Sequence, residues 1–149
     1  MSSIFSELSQ GITSHSPDQT RTLAAHLVQA LPEDCAIALS GPLGSGKTTF
    51  VKGIGDALGI PDPITSPTYT VYNLYKGSRQ LLHIDAYRLN TVREIDSLML
   101  EDFIRTPFLI AAEWPDCIHD WLQSFPLYNI DFTPTPEHGH LIELTSLPE

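Results

Sequence analysis

The stretch GPLGSGKTTF, residues 41–50, decides the fold of this chain. Three glycines within six residues, followed by a lysine and two threonines, are unsuited to a hydrophobic core. From Gly41 to Thr48 the spacing Gly-x-x-x-x-Gly-Lys-Thr is the complete pattern of a phosphate-binding loop. Its glycines let backbone N–H groups point at phosphates, and the helix that follows places its positive end there. The stretch therefore predicts a nucleoside triphosphate site.

The polar residues of the loop have separate expected roles. Lys47 is expected to reach the β- and γ-phosphates, and the hydroxyl of Thr48 to bind Mg²⁺. The residues expected to contact the nucleotide in this segment are Leu43, Gly44, Ser45, Gly46, Lys47, Thr48 and Thr49. The alternative is a glycine-rich turn that only caps a helix. It is disfavoured because the motif follows a predicted strand and opens a predicted helix.

Apolar patterns on both sides of the loop predict an α/β fold. A helix over 16–31 is expected to start with Ser16 as N-cap, Pro17 in the first position and Gln19 completing a capping box. Further helices are predicted over 48–59, 92–104 and 116–122, and strands over 35–40, 68–75, 80–85, 107–113, 127–132 and 140–145. This order predicts one domain over residues 1–149 with a three-layer P-loop NTPase fold, a central mixed, mostly parallel β-sheet flanked by helices.

Two details of this prediction can be tested directly. The last two strands are expected to be edge or antiparallel strands. The helix over 92–104 is expected to direct its apolar face inward; the residues of that face are Ile95, Leu98, Met99 and Phe103. Its acidic residues are expected on the outer, solvated face.

Two acidic residues end predicted buried strands. Asp85 follows LLHI and Glu113 follows FLIAA. If both strands run parallel to residues 35–40, both carboxylates lie at the edge of the sheet where ligands bind. They could then complete the Mg²⁺ site with Thr48. The alternative for each is a helix N-cap or a solvated turn.

Hydroxyls in the stretch SPTYT, residues 66–70, could sense the γ-phosphate. They belong to Ser66, Thr68 and Thr70. The alternative is that they are ordinary threonines at a strand edge. The pair His138-x-His140 has no third ligand within reach in sequence, so no metal site is expected there.

Composition restricts the possible partners. The 149 residues include 8 Lys+Arg and 18 Asp+Glu, a formal net charge of -10. The basic residues are scattered, which argues against tight binding of RNA or DNA by this chain alone. The two cysteines lack metal-type spacing and are expected to be free thiols in a reducing cytosol. The chain shows no signal peptide and no long apolar run, so a cytoplasmic protein without membrane contact is expected.

Four motifs together resemble a known family. GPLGSGKTT, SPTYT, HIDAYRL and EWPD, in this order and spacing, are similar to the TsaE (YjeE) family. The resemblance covers about residues 16–115 and continues more loosely to the end. The chain departs from it at Met99, where the family usually has glycine, so the local backbone there is an open point.

The resemblance implies a function for this chain. TsaE proteins are small bacterial ATPases needed for threonylcarbamoyladenosine modification of tRNA, and they are thought to reset a complex of the proteins TsaD and TsaB. It implies ATP and Mg²⁺ as cofactors, TsaD and TsaB as partners, and tRNA only indirectly. In this sequence it assigns Lys47, Asp85 and Glu113 to catalysis and Thr48, Asp85 and Glu113 to the metal. Thr68 would belong to a switch loop, and Gln19 would lie near the nucleotide.

Three other functions remain as alternatives. A small kinase would need cationic side chains over an acceptor, and Arg88 and Arg93 could serve. A GTPase is disfavoured, because the chain lacks the Asn/Thr-Lys-x-Asp motif that reads guanine. A non-catalytic adaptor switched by nucleotide binding is disfavoured by the predicted Mg²⁺ ligands. The residue that orients the attacking water is not identified.

Overall fold

The computed structural model of the chain describes residues 3–67 and 71–148. The helices of this part are α1 (Ile4–Gln10), α2 (Pro17–Ala30), α3 (Lys47–Ala57), α4 (Val92–Ser97) and α5 (His119–Leu122). The strands are β1 (Ile12–Ser14), β2 (Cys35–Ser40), β3 (Tyr72–Lys76), β4 (Gln80–Asp85), β5 (Phe108–Glu113), β6 (Leu127–Pro134) and β7 (His140–Ser146). Leu100–Asp102 and Asp116–Ile118 form short 3₁₀ turns. No helix within these two ranges is long and apolar enough to cross a bilayer.

The strands form one seven-stranded sheet in the order β1-β7-β6-β2-β5-β4-β3. Its centre is parallel, because β2 pairs in parallel with β5 and β6, and β5 pairs in parallel with β4. The pairs β1–β7, β6–β7 and β3–β4 are antiparallel. The predicted mixed, mostly parallel sheet is confirmed. Of the predicted strand over 68–75, residues 68–70 lie outside the described residues, and β3 begins at Tyr72.

The prediction that the last two strands are edge or antiparallel strands is partly wrong. β7 is antiparallel to both of its neighbours, as predicted. β6 is antiparallel to β7, also as predicted, but it is an inner strand and runs parallel to β2. The edge beyond β7 is taken by β1, which has only three residues. A strand this short has no readable alternation of apolar and polar residues, and sequence analysis therefore did not predict it.

Strand β2 separates two hydrophobic cores. Its residues Ile37 and Leu39 belong to the core under α1, α2 and α3, whereas Ala36 and Ala38 belong to the core under α4 and α5. This alternation follows from the period of two of a β-strand. The layers are therefore helix, sheet and helix, as predicted, with small β2 side chains facing one layer and large ones facing the other.

The start of α2 agrees with the prediction except for one bond. The Ser16 hydroxyl accepts from the Gln19 backbone N–H at 3.1 Å, and Pro17 is the first helical residue. The Gln19 side chain, however, accepts from the backbone N–H of His15 at 2.6 Å, one residue before the expected partner. Gln19 therefore secures the entry of the chain into the helix rather than closing a standard capping box.

The prediction of one helix over 92–104 is wrong. α4 ends at Ser97, and Met99 has φ 51° and ψ 44°, a left-handed conformation. This conformation interrupts the helix, so the apolar period does not continue past it. Ile95 is buried as predicted, but Met99 and Phe103 are 60% and 49% exposed, and Leu100 is buried instead. Met99, where the resemblance leads to the expectation of glycine, thus has a backbone that favours glycine.

Candidate nucleotide-binding site

The phosphate loop connects the end of β2 to α3. Gly46 precedes the helix with φ 103°, a left-handed conformation, and no side chain caps this helix end. A Cβ atom on Gly41 would lie 2.6 Å from the backbone oxygen of Phe132, so a side chain does not fit there. The Ser45 hydroxyl is buried and has no hydrogen-bond partner among the described residues. An uncapped helix start beside an unpartnered hydroxyl fits an anionic ligand such as a phosphate.

Lys47 lies inside the loop rather than in solvent. Its side chain is buried, its Nζ donates to the Gly41 carbonyl oxygen at 2.5 Å, and Nζ lies 3.2 Å from the ring centroid of Trp114. Burial lowers the pKa of Lys47, and the nearby carboxylates of Glu113, Asp85 and Asp116 act in the opposite direction. The lysine charge is therefore partly removed from water and surrounded by negative groups.

Thr48 and Glu113 are in direct contact. Glu113 is the last residue of β5 and only 3% exposed. The Thr48 hydroxyl lies 3.1 Å and 3.2 Å from the two carboxylate oxygens of Glu113, and 3.2 Å from the Ser66 hydroxyl. The structure thus brings one predicted carboxylate to the predicted metal-binding threonine.

Asp85 lies beside Glu113 but makes a different contact. The two residues are register partners at the ends of the parallel strands β4 and β5. The Asp85 Oδ1 accepts from the Tyr87 backbone N–H at 3.0 Å, which is a local turn contact. One Asp85 oxygen therefore makes the turn contact that was considered as the alternative. Burial lowers the pKa of Lys47, and the charge of Asp85 opposes that shift.

Two further side chains complete this part of the site. His83 is fully buried, and its Nε2 lies 2.6 Å from Glu113 Oε2. Sequence analysis did not assign it a role; the available signal was its position two residues before Asp85, which places both on one side of β4. Trp114, recognised only as part of EWPD, has φ 54°, and its ring packs edge-on against Tyr87 at 5.1 Å.

A small cavity borders the other side of the loop. It measures about 100 Å³, and its lining residues are His15, Ser16, Pro17, Thr20, Gly46, Thr49, His138 and His140. Gln19 does not line this cavity; it is hydrogen-bonded to two residues that do, His15 and Ser16, and itself lines a neighbouring groove. Leu43 points away, with 89% of its surface exposed. Thr68 lies outside the described residues.

The donor set fits Mg²⁺ bound together with a phosphate ligand. Oxygen is the ligand atom that Mg²⁺ prefers, and this ion usually keeps waters and substrate phosphates in its shell. The hydroxyl of Thr48 and the carboxylate of Glu113 supply such oxygens. Within residues 3–67 and 71–148, no three His, Cys, Asp or Glu side chains are grouped so as to hold a metal ion alone. A site completed by phosphate oxygens needs no such group.

Residues 14–140 match the sequence profile of the family described as "Threonylcarbamoyl adenosine biosynthesis protein TsaE". The chain belongs to the TsaE family. It is 44% identical over 95 residues to the TsaE of Synechocystis sp., with 60% of each chain covered. It is 40% identical over 104 residues to the TsaE of Nostoc sp., with 66% of this chain and 64% of the relative covered. The match thus spans less than two thirds of both cyanobacterial TsaE proteins.

Other TsaE proteins match over a larger share. The TsaE of Treponema pallidum is 31% identical over 112 residues, with 75% of this chain and 83% of the relative covered. Among solved structures, Bacillus subtilis YdiB superposes with a TM-score of 0.71 at 25% identity, and the superposition covers 89% of this chain and 81% of YdiB. This chain therefore has the same fold as the crystal structure of YdiB.

Proposed function

We propose that this chain binds and hydrolyses Mg·ATP in support of threonylcarbamoyladenosine formation on tRNA. The observation that carries the proposal is the contact between Thr48 and Glu113 beside the phosphate loop. A buried carboxylate against the Mg²⁺-binding hydroxyl would hold Mg²⁺ at the phosphates, which phosphoryl transfer requires. The family name and the names of its relatives support the same pathway.

The residues of the loop would divide the work on the phosphates. Lys47 would exchange its contact with the Gly41 oxygen for the β- and γ-phosphates, and the hydroxyl of Ser45 would gain a partner. Thr48 and Glu113 would hold Mg²⁺ or its water, with Asp85 adjacent. When bound, Mg²⁺ neutralises charge that develops on the transferred phosphoryl group.

The cavity beside Thr49 would border the nucleoside part of ATP, because its volume of about 100 Å³ can hold only part of a nucleoside. It lies on the far side of the loop from Glu113, and His138 and His140 contribute imidazole rings to its wall. Imidazole rings can stack on a base or hydrogen-bond to it. Gln19 would act here indirectly, by holding the backbone of His15 in place.

The partners proposed for this ATPase are TsaD and TsaB, with tRNA held by them. A net charge of -10 opposes direct contact with a phosphodiester backbone. An acidic ATPase can still act on tRNA modification by docking on proteins that carry the tRNA.

A reconstituted reaction tests this function. Wild-type chain, TsaB, TsaD, tRNA, an activated threonylcarbamoyl donor, ATP and Mg²⁺ are combined, and phosphate release, copurification of the three proteins and modified tRNA are measured. We expect all three with wild type. Thr48→Ala should lose phosphate release and modified tRNA, while Thr22→Ala, an exposed threonine of α2, should retain both. In a parallel incubation of the chain with ATP, Mg²⁺ and candidate small-molecule acceptors, a phosphorylated acceptor in place of free phosphate would instead favour the kinase.

A further inference from the structure

His83 is a buried polar residue that the proposed reaction does not yet use. It lies in β4 with none of its surface exposed, and its Nε2 lies 2.6 Å from Glu113 Oε2. Its Nδ1 is also buried and has no hydrogen-bond partner among the described residues. The unpartnered nitrogen of a buried imidazole lowers the stability of the folded chain, because it has lost its hydrogen bonds to water. The bond through Nε2 is therefore the contact to explain.

The surroundings of the ring decide where its proton lies. Nε2 faces a carboxylate oxygen, which can only accept, so the hydrogen is on Nε2. Nδ1 has no partner in the described part of the chain. The arrangement therefore makes Nε2 the nitrogen that donates to Glu113.

His83, Glu113 and Thr48 form one continuous chain of contacts. The backbones at His83 and Glu113 are fixed in neighbouring parallel strands, where His83 pairs with Ala111. The Glu113 side chain still has three rotatable bonds, so fixed strands alone do not fix its carboxylate. The bond from His83 to Oε2 and the bond from Thr48 hold it from two sides.

We propose that His83 is a positioning residue for the metal site. By donating to Oε2, it holds the Glu113 carboxylate in the one orientation in which that carboxylate faces the Thr48 hydroxyl. This inference rests on the proposed function, because the carboxylate matters only if Mg·ATP is bound there. Residues that orient a metal ligand typically change metal affinity or activity by roughly 10–100-fold when they are removed.

The alternative is that His83 only fills space in the core. Leu81 lies on the same side of β4, is also fully buried, and belongs to the core under α2 and α3. If packing were the whole role of His83, a leucine of similar bulk would replace it, since an apolar core residue needs no hydrogen-bond partner.

Two variants and a matched control separate these roles. His83→Leu keeps bulk and loses the donor, His83→Gln keeps a donor that can reach the same carboxylate, and Leu81→Ala removes bulk from the same side of the strand. For each protein, calorimetry gives the ATP affinity with and without Mg²⁺. Hydrolysis gives kcat and the Mg²⁺ concentration for half-maximal rate, and thermal unfolding gives Tm.

We expect His83→Leu to lower kcat about tenfold and to raise the Mg²⁺ requirement about tenfold. Its ATP affinity without Mg²⁺ should stay within about twofold of wild type, because the phosphate loop is unchanged. Its Tm should fall, because the buried Glu113 Oε2 loses a donor. His83→Gln should recover most of both losses. Leu81→Ala should lower Tm and leave the Mg²⁺ requirement unchanged.

His83→Leu with wild-type kcat and Mg²⁺ requirement would overturn the proposal and leave a packing role. Equal losses in His83→Leu and His83→Gln would overturn it as well, because the donor would then not matter. If wild type itself shows no Mg²⁺-dependent ATP binding in calorimetry, the proposed function fails, and the role of His83 fails with it.

Discussion

The ammonium group of Lys47 lies 3.2 Å from the ring centroid of Trp114 while it donates to the Gly41 carbonyl oxygen. A cation over an indole ring is attracted by about 0.5–2 kcal/mol, depending on how far it is desolvated. A lysine that turns to bind phosphates cannot keep both contacts. We therefore expect the surroundings of the Trp114 ring to change when Lys47 binds a ligand.

We predict that ATP changes the emission of Trp114. The chain has two tryptophans, so Trp121→Phe leaves Trp114 as the only reporter. Titration with ATP should then change the emission intensity of Trp114, and the affinity obtained from this change should equal the affinity from calorimetry. In the Lys47→Ala background the shift should disappear and hydrolysis should be lost, with Tm near that of wild type. Lys52→Ala, an exposed lysine of α3, is the control. Full ATP turnover by Lys47→Ala would contradict the assignment of the phosphate loop.

Glu113→Gln should slow hydrolysis and raise the Mg²⁺ requirement. The amide has the shape of the carboxylate but lacks its charge, so attraction to a divalent ion falls while the Thr48 contact can persist. Excess Mg²⁺ should partly restore the rate, and Tm should stay near normal. Initial rates over a range of Mg²⁺ concentrations measure this. Wild-type Mg²⁺ dependence with full activity would remove Glu113 from the site.

Met99→Gly should stabilise the chain by up to about 1 kcal/mol. A non-glycine residue with left-handed angles costs roughly 1–2 kcal/mol, and the extra freedom of glycine in the unfolded state offsets part of this gain. Little packing is lost, because Met99 is 60% exposed. Urea unfolding gives the difference. Asp96→Gly, an exposed position inside α4, should instead destabilise; stabilisation of both variants would rule out the conformational explanation.

Gly53→Ala should destabilise by about 1–3 kcal/mol. In α3 this glycine packs against α2 so closely that a Cβ would lie 2.4 Å from the backbone oxygen of Arg21. Backbone cannot move aside as a flexible side chain can. On an exposed helix surface the same change would stabilise by about 1 kcal/mol. The sign of the change in the free energy of unfolding therefore shows whether close packing at Gly53 outweighs helix propensity. Lys52→Ala, the neighbouring exposed position, should change stability little.

The stability of the chain should fall between about pH 9 and pH 11 through Cys35. Burial raises the pKa of its thiol to about 11. In that range the unfolded chain has lost the thiol proton while the folded chain keeps it, so rising pH favours unfolding. Urea unfolding at pH 8 and pH 10.5 should show a smaller fall for Cys35→Ala than for wild type. An equal fall in both would show that other groups control the alkaline limit.

The parts of the fold that were predictable from sequence depend on local patterns. The phosphate loop was predictable because the glycines and the lysine that define it lie within eight consecutive residues, between an apolar strand and an amphipathic helix. Asp85 and Glu113 meet as predicted because parallel strands bring their ends to one edge. The contact between Glu113 and His83 was not predictable in the same way. In the sequence, a histidine inside an apolar strand cannot be told from a residue that only packs in the core, because its partner comes from another strand.

Other differences arise where a local pattern is overridden. The apolar period over 92–104 continues in the sequence, yet a single left-handed residue, Met99, breaks the helix. The capping glutamine Gln19 bonds to His15 because the chain entering α2 comes from the short strand β1. In both cases the outcome depends on the path of the backbone, which the pattern of apolar and polar residues does not show.

Strand β2 faces both hydrophobic cores and ends directly in the phosphate loop. Loss of either helical layer would therefore also release the loop. Regions shared by two cores open only with the whole domain, so the amide hydrogens of Ile37 and Ala38 should be among the slowest to exchange with solvent. A ligand that binds the loop then stabilises the entire chain by mass action rather than one segment of it. Occupancy of the loop would thereby set how long the protein survives proteolysis.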